Sequence, residues 1–294
     1  MRRLAATAAE SDRSRPVKFF VRGTMGVSYH QFCQLKRTGG LHVNGQTVHA
    51  NFLLSPSDLV EVFLEEEGPE KSVVPDFTPV ALAYEDDDLY IVDKPAPLAC
   101  QCSPRQESMT LENRLAGRFA AGADFVFRPV NRLDRGTSGL MAAAKHAHAY
   151  QRMQRQLHTP AFVREYLALV EGILEGEGVI DLPIAKEDAA TVRRVIDLEH
   201  GKPAVTHYHA LSCGNGRTLV RLRLETGRTH QIRVHMAAIG YPVAGDFLYG
   251  QELAFLPGRF ALHSAAIELD QPLTGERICI ESPLPDELKV LLTQ

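Results

Sequence analysis

Hydrophobic and polar positions along this chain follow two different periods, and each change of period marks an element. From Val17 to Leu64 the pattern is compact. "SYHQFCQLKRTGG" predicts a helix stopped by Gly39-Gly40, and "LHVNGQTVHA" sets Asn44-Gly45 between two short alternating runs. Both turn residues tolerate the positive φ of a type I′ turn, so this stretch predicts a hairpin. "SDLVEVFLEEE" then alternates like a strand, which makes residues 15–67 a small α/β module. Residues 1–14 have no periodicity and are expected to form a disordered tail. "EGPEKSVVPDFTP" carries three prolines and mixed charge and predicts a linker over residues 68–78.

A second unit, residues 79–294, opens with "VALAYEDDDLYIVDKP", two short strands around an acid run, Glu85 to Asp88, that reads as a solvated turn. "GLMAAAK" predicts a buried strand. "HAHAYQRMQRQLH" predicts a helix with Ala147, Tyr150, Met153 and Leu157 along one stripe. "VREYLALVEG" and "TLVRLRLET" predict strands; in the second, Val220, Leu222 and Leu224 face one way and Arg221, Arg223 and Glu225 the other. "THQIRVHMAAIG" reads as a helix from Thr229, closed by Gly240 with Pro242 beyond. Many strands with few, non-alternating helices point to an α+β fold, a mixed and mainly antiparallel sheet with flanking helices.

Composition narrows the class. With 294 residues, 45% hydrophobic and 23% charged, the chain is an ordinary globular protein. It has no uninterrupted apolar run of membrane length and no secretory leader pattern, so a cytoplasmic protein without a membrane partner is expected. Its five cysteines are odd in number and mostly scattered, which fits reduced thiols; Cys100-Gln101-Cys102 reads as a pair of loop thiols. The net charge of −4 argues against nucleic acid until its distribution is read. Residues 1–60 carry eight Lys+Arg against three Asp+Glu, residues 61–125 five against fourteen, and the remainder is balanced. A binding face is a local field, so a basic first segment is compatible with RNA. The chain contains no GxGxxG, phosphate loop, HExxH or Gly-x-Ser-x-Gly. His207 and His209 share a strand face without a third ligand. Nucleotide-cofactor chemistry loses its usual support, and no metal site is expected.

The candidate chemistry lies in "VNRLDRGTSGLMAAAK", where Asp134 stands between Arg132 and Arg135. Flanking arginines favour a charged carboxylate, suited to act as nucleophile or base; a surface ion pair is the bland alternative. Arg233 shares the face of its helix with Thr229, Ile232 and Met236, so its guanidinium points to the apolar side and needs an acidic partner. Asp134 fits that need. Tyr166 sits in an apolar strand, as plain core or as a ring that stacks on a planar substrate.

"NRLDRGTSGL", "REYLALVEG" and "ETGRTHQIRVHMAAIGYPVAGDFLYG", in that order, resemble the RluA-type pseudouridine synthases. The segment "LKRTGGLHVNGQTVHANFLLSPSDLVEVFL" is similar to the small N-terminal RNA-binding domain of that family, which is akin to one in a ribosomal small-subunit protein. The resemblance implies a cofactor-free enzyme, monomeric by family default, that isomerises uridine to pseudouridine in structured RNA, rRNA or tRNA. It makes residues 79–294 the catalytic domain. It implies Asp134 as the nucleophile, Tyr166 as the residue that stacks on the base and then takes a proton, and Arg233 as the partner of the aspartate. Asn131, Arg132, Arg135, Arg228 and His230, with Lys36 and Arg37 in the small domain, are expected to contact RNA. Two departures stand out. Asn131 occupies a position that is usually histidine, and "DKPAPLACQCSP" replaces the stretch that usually ends in glycine, valine and histidine-proline. A non-catalytic RNA binder on the same scaffold is one alternative. A glycosidic-bond hydrolase is another; it needs a second carboxylate, for which Asp246 is the candidate, although a bracing role suits it better.

Overall fold

The computed structural model describes residues 2–65, 68, 73–103, 106–119, 125–188 and 190–293. The small module contains β1 (Arg2–Thr7), α1 (Val17–Gly23), α2 (Tyr29–Thr38), β2 (Leu41–Val43), β3 (Gln46–Thr47) and β4 (Leu59–Leu64). Its antiparallel sheet runs β1-β4-β2-β3, and Phe20, Phe32, Leu35, Val60 and Val62 form its core. Ser28 caps α2 by accepting from Gln31 N at 3.2 Å. Gly39 closes that helix at φ 72°, and Asn44 and Gly45 turn the hairpin at φ 50° and 78°.

Residues 2–7, expected to lie in a disordered tail, are an edge strand. They pair with β4 from Arg2↔Leu64 to Thr7↔Leu59, and Leu4 and Ala6 pack on the core. Arg3 Nε donates to the largely buried Glu61 at 2.8 Å. The strand escapes a reading by pattern because "RRLAAT" is short, rich in alanine, and paired with residues more than fifty positions away. Within the linker, residues 69–72 lie outside the described residues, while Val74 is held by Asn113 Nδ2 at 2.8 Å.

The large unit contains β5 (Ala81–Glu85), β6 (Leu89–Lys94), α3 (Leu111–Phe119), β7 (Arg128–Pro129), β8 (Ser138–Ala144), α4 (Ala147–Gln156), β9 (Phe162–Glu171), β10 (Glu177–Asp181), β11 (Ile184–Lys186), β12 (Arg194–Ile196), β13 (Val205–Gly214), β14 (Arg217–Leu224), α5 (Gln231–Ala238), β15 (Leu262–Asp270), β16 (Arg277–Glu281) and α6 (Asp286–Lys289). Its main sheet runs β10-β13-β14-β9-β15-β8-β6-β5, with β7 on β8 and β16 on β15. β15 and β8 run parallel and the other named pairs antiparallel. Both faces of the sheet are covered at its centre. Leu140 and Ala142 join Ala149 and Met153 of α4 on one side, while Met141 and Ala143 join Leu111, Leu115, Ile232 and Met236 on the other. A strand buried on both faces has no polar face to show, which is why β8 reads as a continuous apolar run.

In the acid run at the β5–β6 turn Glu85 and Asp87 are exposed, as a solvated turn requires, and Asp88 is the exception. Asp88 is buried, and it meets Arg2 at 2.6 Å, His146 Nε2 at 2.9 Å and Gln271 Nε2 at 2.7 Å.

Candidate active site

The loop ahead of β8 carries Asp134, and its backbone is pinned on nearly every side. Thr137 N donates to Asp134 O at 3.1 Å, and Leu98 N to Arg135 O at 2.9 Å. Cys100 Sγ donates to Leu133 O at 3.0 Å. Lys94, fully buried, spreads its ammonium over the carbonyls of Pro95, Leu98 and Arg135. Burial pulls Lys94 down to about 8. Lys94, Leu98 and Cys100 of the divergent stretch therefore buttress the Asp134 loop. Asn131, expected to reach RNA, is buried and accepts from Ala142 N through Oδ1 at 2.9 Å. Its Nδ2 is buried without a hydrogen-bond partner among the described residues, and the residue lines the same cavity as Asp134.

Arg233 approaches Asp134 from α5, its Nη1 donating to Oδ2 at 3.1 Å. The rest of its fork belongs to Asp246, with Nε to Oδ2 at 2.6 Å and Nη2 to Oδ1 at 2.8 Å. Asp246 is fully buried and also accepts from Leu248 N and Tyr249 N. Both of its oxygens are engaged, which removes it as a second acid–base group and fits the bracing role. Burial works against the charge on Arg233, but the Asp246 hydrogen bonds and charge more than offset this and raise its pKa. Phe260, Tyr249 and Phe247 surround the guanidinium, with ring centroids at 4.1, 5.1 and 5.8 Å. Such cation–π contacts suit a weakly hydrated, desolvated guanidinium.

α5 begins at Gln231, two residues later than its pattern implies, because His230 adopts left-handed φ 59°. Gln231 satisfies the entry turn by accepting from Thr226 Oγ1 and Arg228 N and donating to Val205 O. His230 Nδ1 lies 2.8 Å from Tyr249 Oη, which itself accepts from Arg194 N. The other ring nitrogen, Nε2, lies 4.0 Å from Asp134 Oδ2. Burial, against the pull of Asp134, holds His230 below the usual histidine range.

Tyr166 projects from β9 into the same space and is 5% exposed. Burial pushes its phenol up, so it is protonated at neutral pH. Asp134, Tyr166 and Arg233 line one cavity of about 1040 Å³. Arg132, Arg135, Arg228 and His230 line it too, with the three arginines exposed. Neither Arg132 nor Arg135 pairs with Asp134 among the described residues; its contact is with Arg233. Lys36 and Arg37 are exposed at the end of α2, outside the cavity lining. Pattern reasoning missed the double grip of Asp246 on Arg233 and the ammonium of Lys94 under the loop. The only trace of the first is that both partners stand in the same long motif.

Residues 88–238 match the family model described as RNA pseudouridylate synthase. The uncharacterized RNA pseudouridine synthase YlyB of Bacillus subtilis is 36% identical, over 99% of this chain and 98% of its own length. The ribosomal large subunit pseudouridine synthase D of Nitrosomonas europaea is 42% identical, over 73% of this chain and 64% of its own. Among solved structures, human RNA pseudouridylate synthase domain containing 1 aligns with a TM-score of 0.59 at 26% identity, over 72% of this chain and 87% of that one.

Proposed function

This chain belongs to the RluA-type RNA pseudouridine synthases and isomerises uridine to pseudouridine in RNA, and from that premise we propose that its substrate is the RNA of the large ribosomal subunit and that Asp134, Tyr166 and Arg233 carry the reaction. The observation that carries the site reading is the shared guanidinium: Arg233 is clamped by Asp246 and turns its remaining nitrogen to Asp134. The substrate reading rests on relatives named as large-subunit enzymes.

The target uridine leaves its stack and enters the cavity, where the Tyr166 ring offers a platform that offsets part of the unstacking cost of a few kcal/mol. Asp134 opens the reaction either by attacking ribose carbon 1 or by removing the proton from carbon 2; both break the bond to uracil nitrogen 1. The freed uracil turns in place, and its carbon 5 bonds to carbon 1 of the sugar, displacing the Asp134 carboxylate on the first route or with carbon 2 regaining its proton from Asp134 on the second. Tyr166, protonated at the outset, is the nearby group suited to pass its phenol proton to nitrogen 1 and take the carbon-5 proton in exchange. All atoms and electrons are conserved. The route needs the activated sugar to be kept from water. Arg132, Arg135 and Arg228 at the cavity wall suit phosphate contacts, and Lys36 and Arg37 suit docking of the small module on RNA. The protein acts in this reading as a cytoplasmic monomer. No helix among the described residues is long and apolar enough to cross a membrane.

Tritium release from RNA labelled at uracil carbon 5 tests this. Wild-type protein is expected to release tritium from large-subunit rRNA and not from tRNA, and Asp134→Asn from neither. Release from tRNA alone would replace the substrate. Release by Asp134→Asn would remove its role.

A further inference from the structure

Arg164 stands two residues before Tyr166 on β9, so both side chains leave the same face of the strand. It is 4% exposed and lines the cavity that holds Asp134. Its Nε and Nη2 are buried without a hydrogen-bond partner, and among the described residues the guanidinium makes no ion pair. The ring of Phe162 lies 6.0 Å away. Its charge is felt by Tyr166 and His158, and no carboxylate pairs with it among the described residues. Burial, then the charges of Arg164 and Arg228, hold His158 below its usual range. Gly227 stands beside the guanidinium, where a Cβ would come within 3.1 Å of Nη1.

A buried cation that the fold leaves without a counter-charge is strongly destabilising unless a ligand supplies one. Arg233 shows the contrast: it is equally buried and is given two carboxylates. RNA brings one kind of anion, the phosphodiester, and a guanidinium fork matches two of its oxygens. We propose that Arg164 is a phosphate-binding residue that takes the backbone phosphodiester next to the flipped uridine. This rests on the RNA-substrate reading above. Holding that phosphate would fix the ribose relative to Asp134 while Tyr166, on the same strand, holds the base. Gly227 keeps the approach to Nη1 open.

The test uses the shortest rRNA stem-loop from which the wild type releases tritium, made also with a single uncharged methylphosphonate on either side of the target uridine. Wild type is expected to lose at least about tenfold in kcat/KM at one linkage, the scale of charge-assisted hydrogen bonds. Arg164→Met should show a similar loss on unmodified RNA, mostly in KM, and no further loss with the methylphosphonate. Arg164→Lys should recover part of the activity and remain sensitive. An Arg164→Met enzyme that keeps wild-type kcat/KM, or that still shows the full methylphosphonate penalty, overturns the proposal. Inorganic phosphate gives a second reading: at constant ionic strength it should raise the Tm of the wild type more than that of Arg164→Met, and equal shifts count against the site. If no rRNA fragment is turned over, the rRNA reading fails and the phosphate-dependent Tm comparison still decides Arg164.

Discussion

Arg233 joins two carboxylates with different duties, one exposed to the cavity and one sealed beneath it. Its planar fork spans both, which a lysine ammonium cannot do from one point. Arg233→Lys is therefore expected to lower kcat by about a hundredfold or more while the protein stays folded, as seen by tritium release beside circular dichroism. Asp246→Asn keeps the shape and removes the buried counter-charge, so it should cost about 3–5 kcal/mol in chemical denaturation and also depress activity. Activity lost with stability intact would mean that Asp246 meets the substrate itself. Both residues stood in the motifs of the sequence, yet their pairing did not. A side chain's partner across space leaves no periodic trace, and the nearest arginines in sequence, Arg132 and Arg135, were the wrong ones to credit with holding Asp134.

Among the elements, those with a sustained period were legible: α2 with its glycine stop, the Asn44-Gly45 hairpin, and β8, β9 and β14. α1, β1 and the late strand β15 were not read, because their runs are short or take their faces from distant partners. β8 is also constrained by what lies beside it. Gly139 has φ +102°, and a Cβ there would come 2.3 Å from Ser264 O on β15. Gly139→Ala should cost about 3 kcal/mol or more through strain and overpacking, and should lower activity by shifting the loop that ends at Ser138. On the other face of the sheet, His148 of α4 is buried and pulled down to about 4, by burial first and then by Arg152 and His146. Its unfolded value is 6.5, so the unfolded chain binds the proton first as pH falls. Stability from this residue is complete above 6.5 and is lost progressively down to about 4. His148→Leu should flatten the Tm profile over that window.

At the scale of the whole molecule, charge is segregated. The basic small module is tied to the acidic β5–β6 turn through Arg2 and Asp88 at 2.6 Å, which neutralises part of the acid run and leaves Lys36 and Arg37 exposed elsewhere on the module. A modest basic excess predicts salt-sensitive RNA binding with a shallow slope. Lys36→Ala with Arg37→Ala should make the slope of log K against log salt shallower by roughly 0.7–0.9 for each phosphate that the protein no longer neutralises, leaving kcat unchanged. An unaltered slope would remove these two residues from the interface. The α+β class, the family and the candidates Asp134, Tyr166 and Arg233, which line one cavity, were legible in the sequence, because local period, turn chemistry and motif order are properties of neighbours along the chain. Tertiary structure alone decided which acid clamps Arg233, that Asn131 is buried and Lys94 lies under the Asp134 loop, that residues 2–7 complete a sheet, and that Arg164 is buried without a counter-charge. Those are statements about which desolvated groups meet across long loops, and the free energy of a buried charge is set by its surroundings in space.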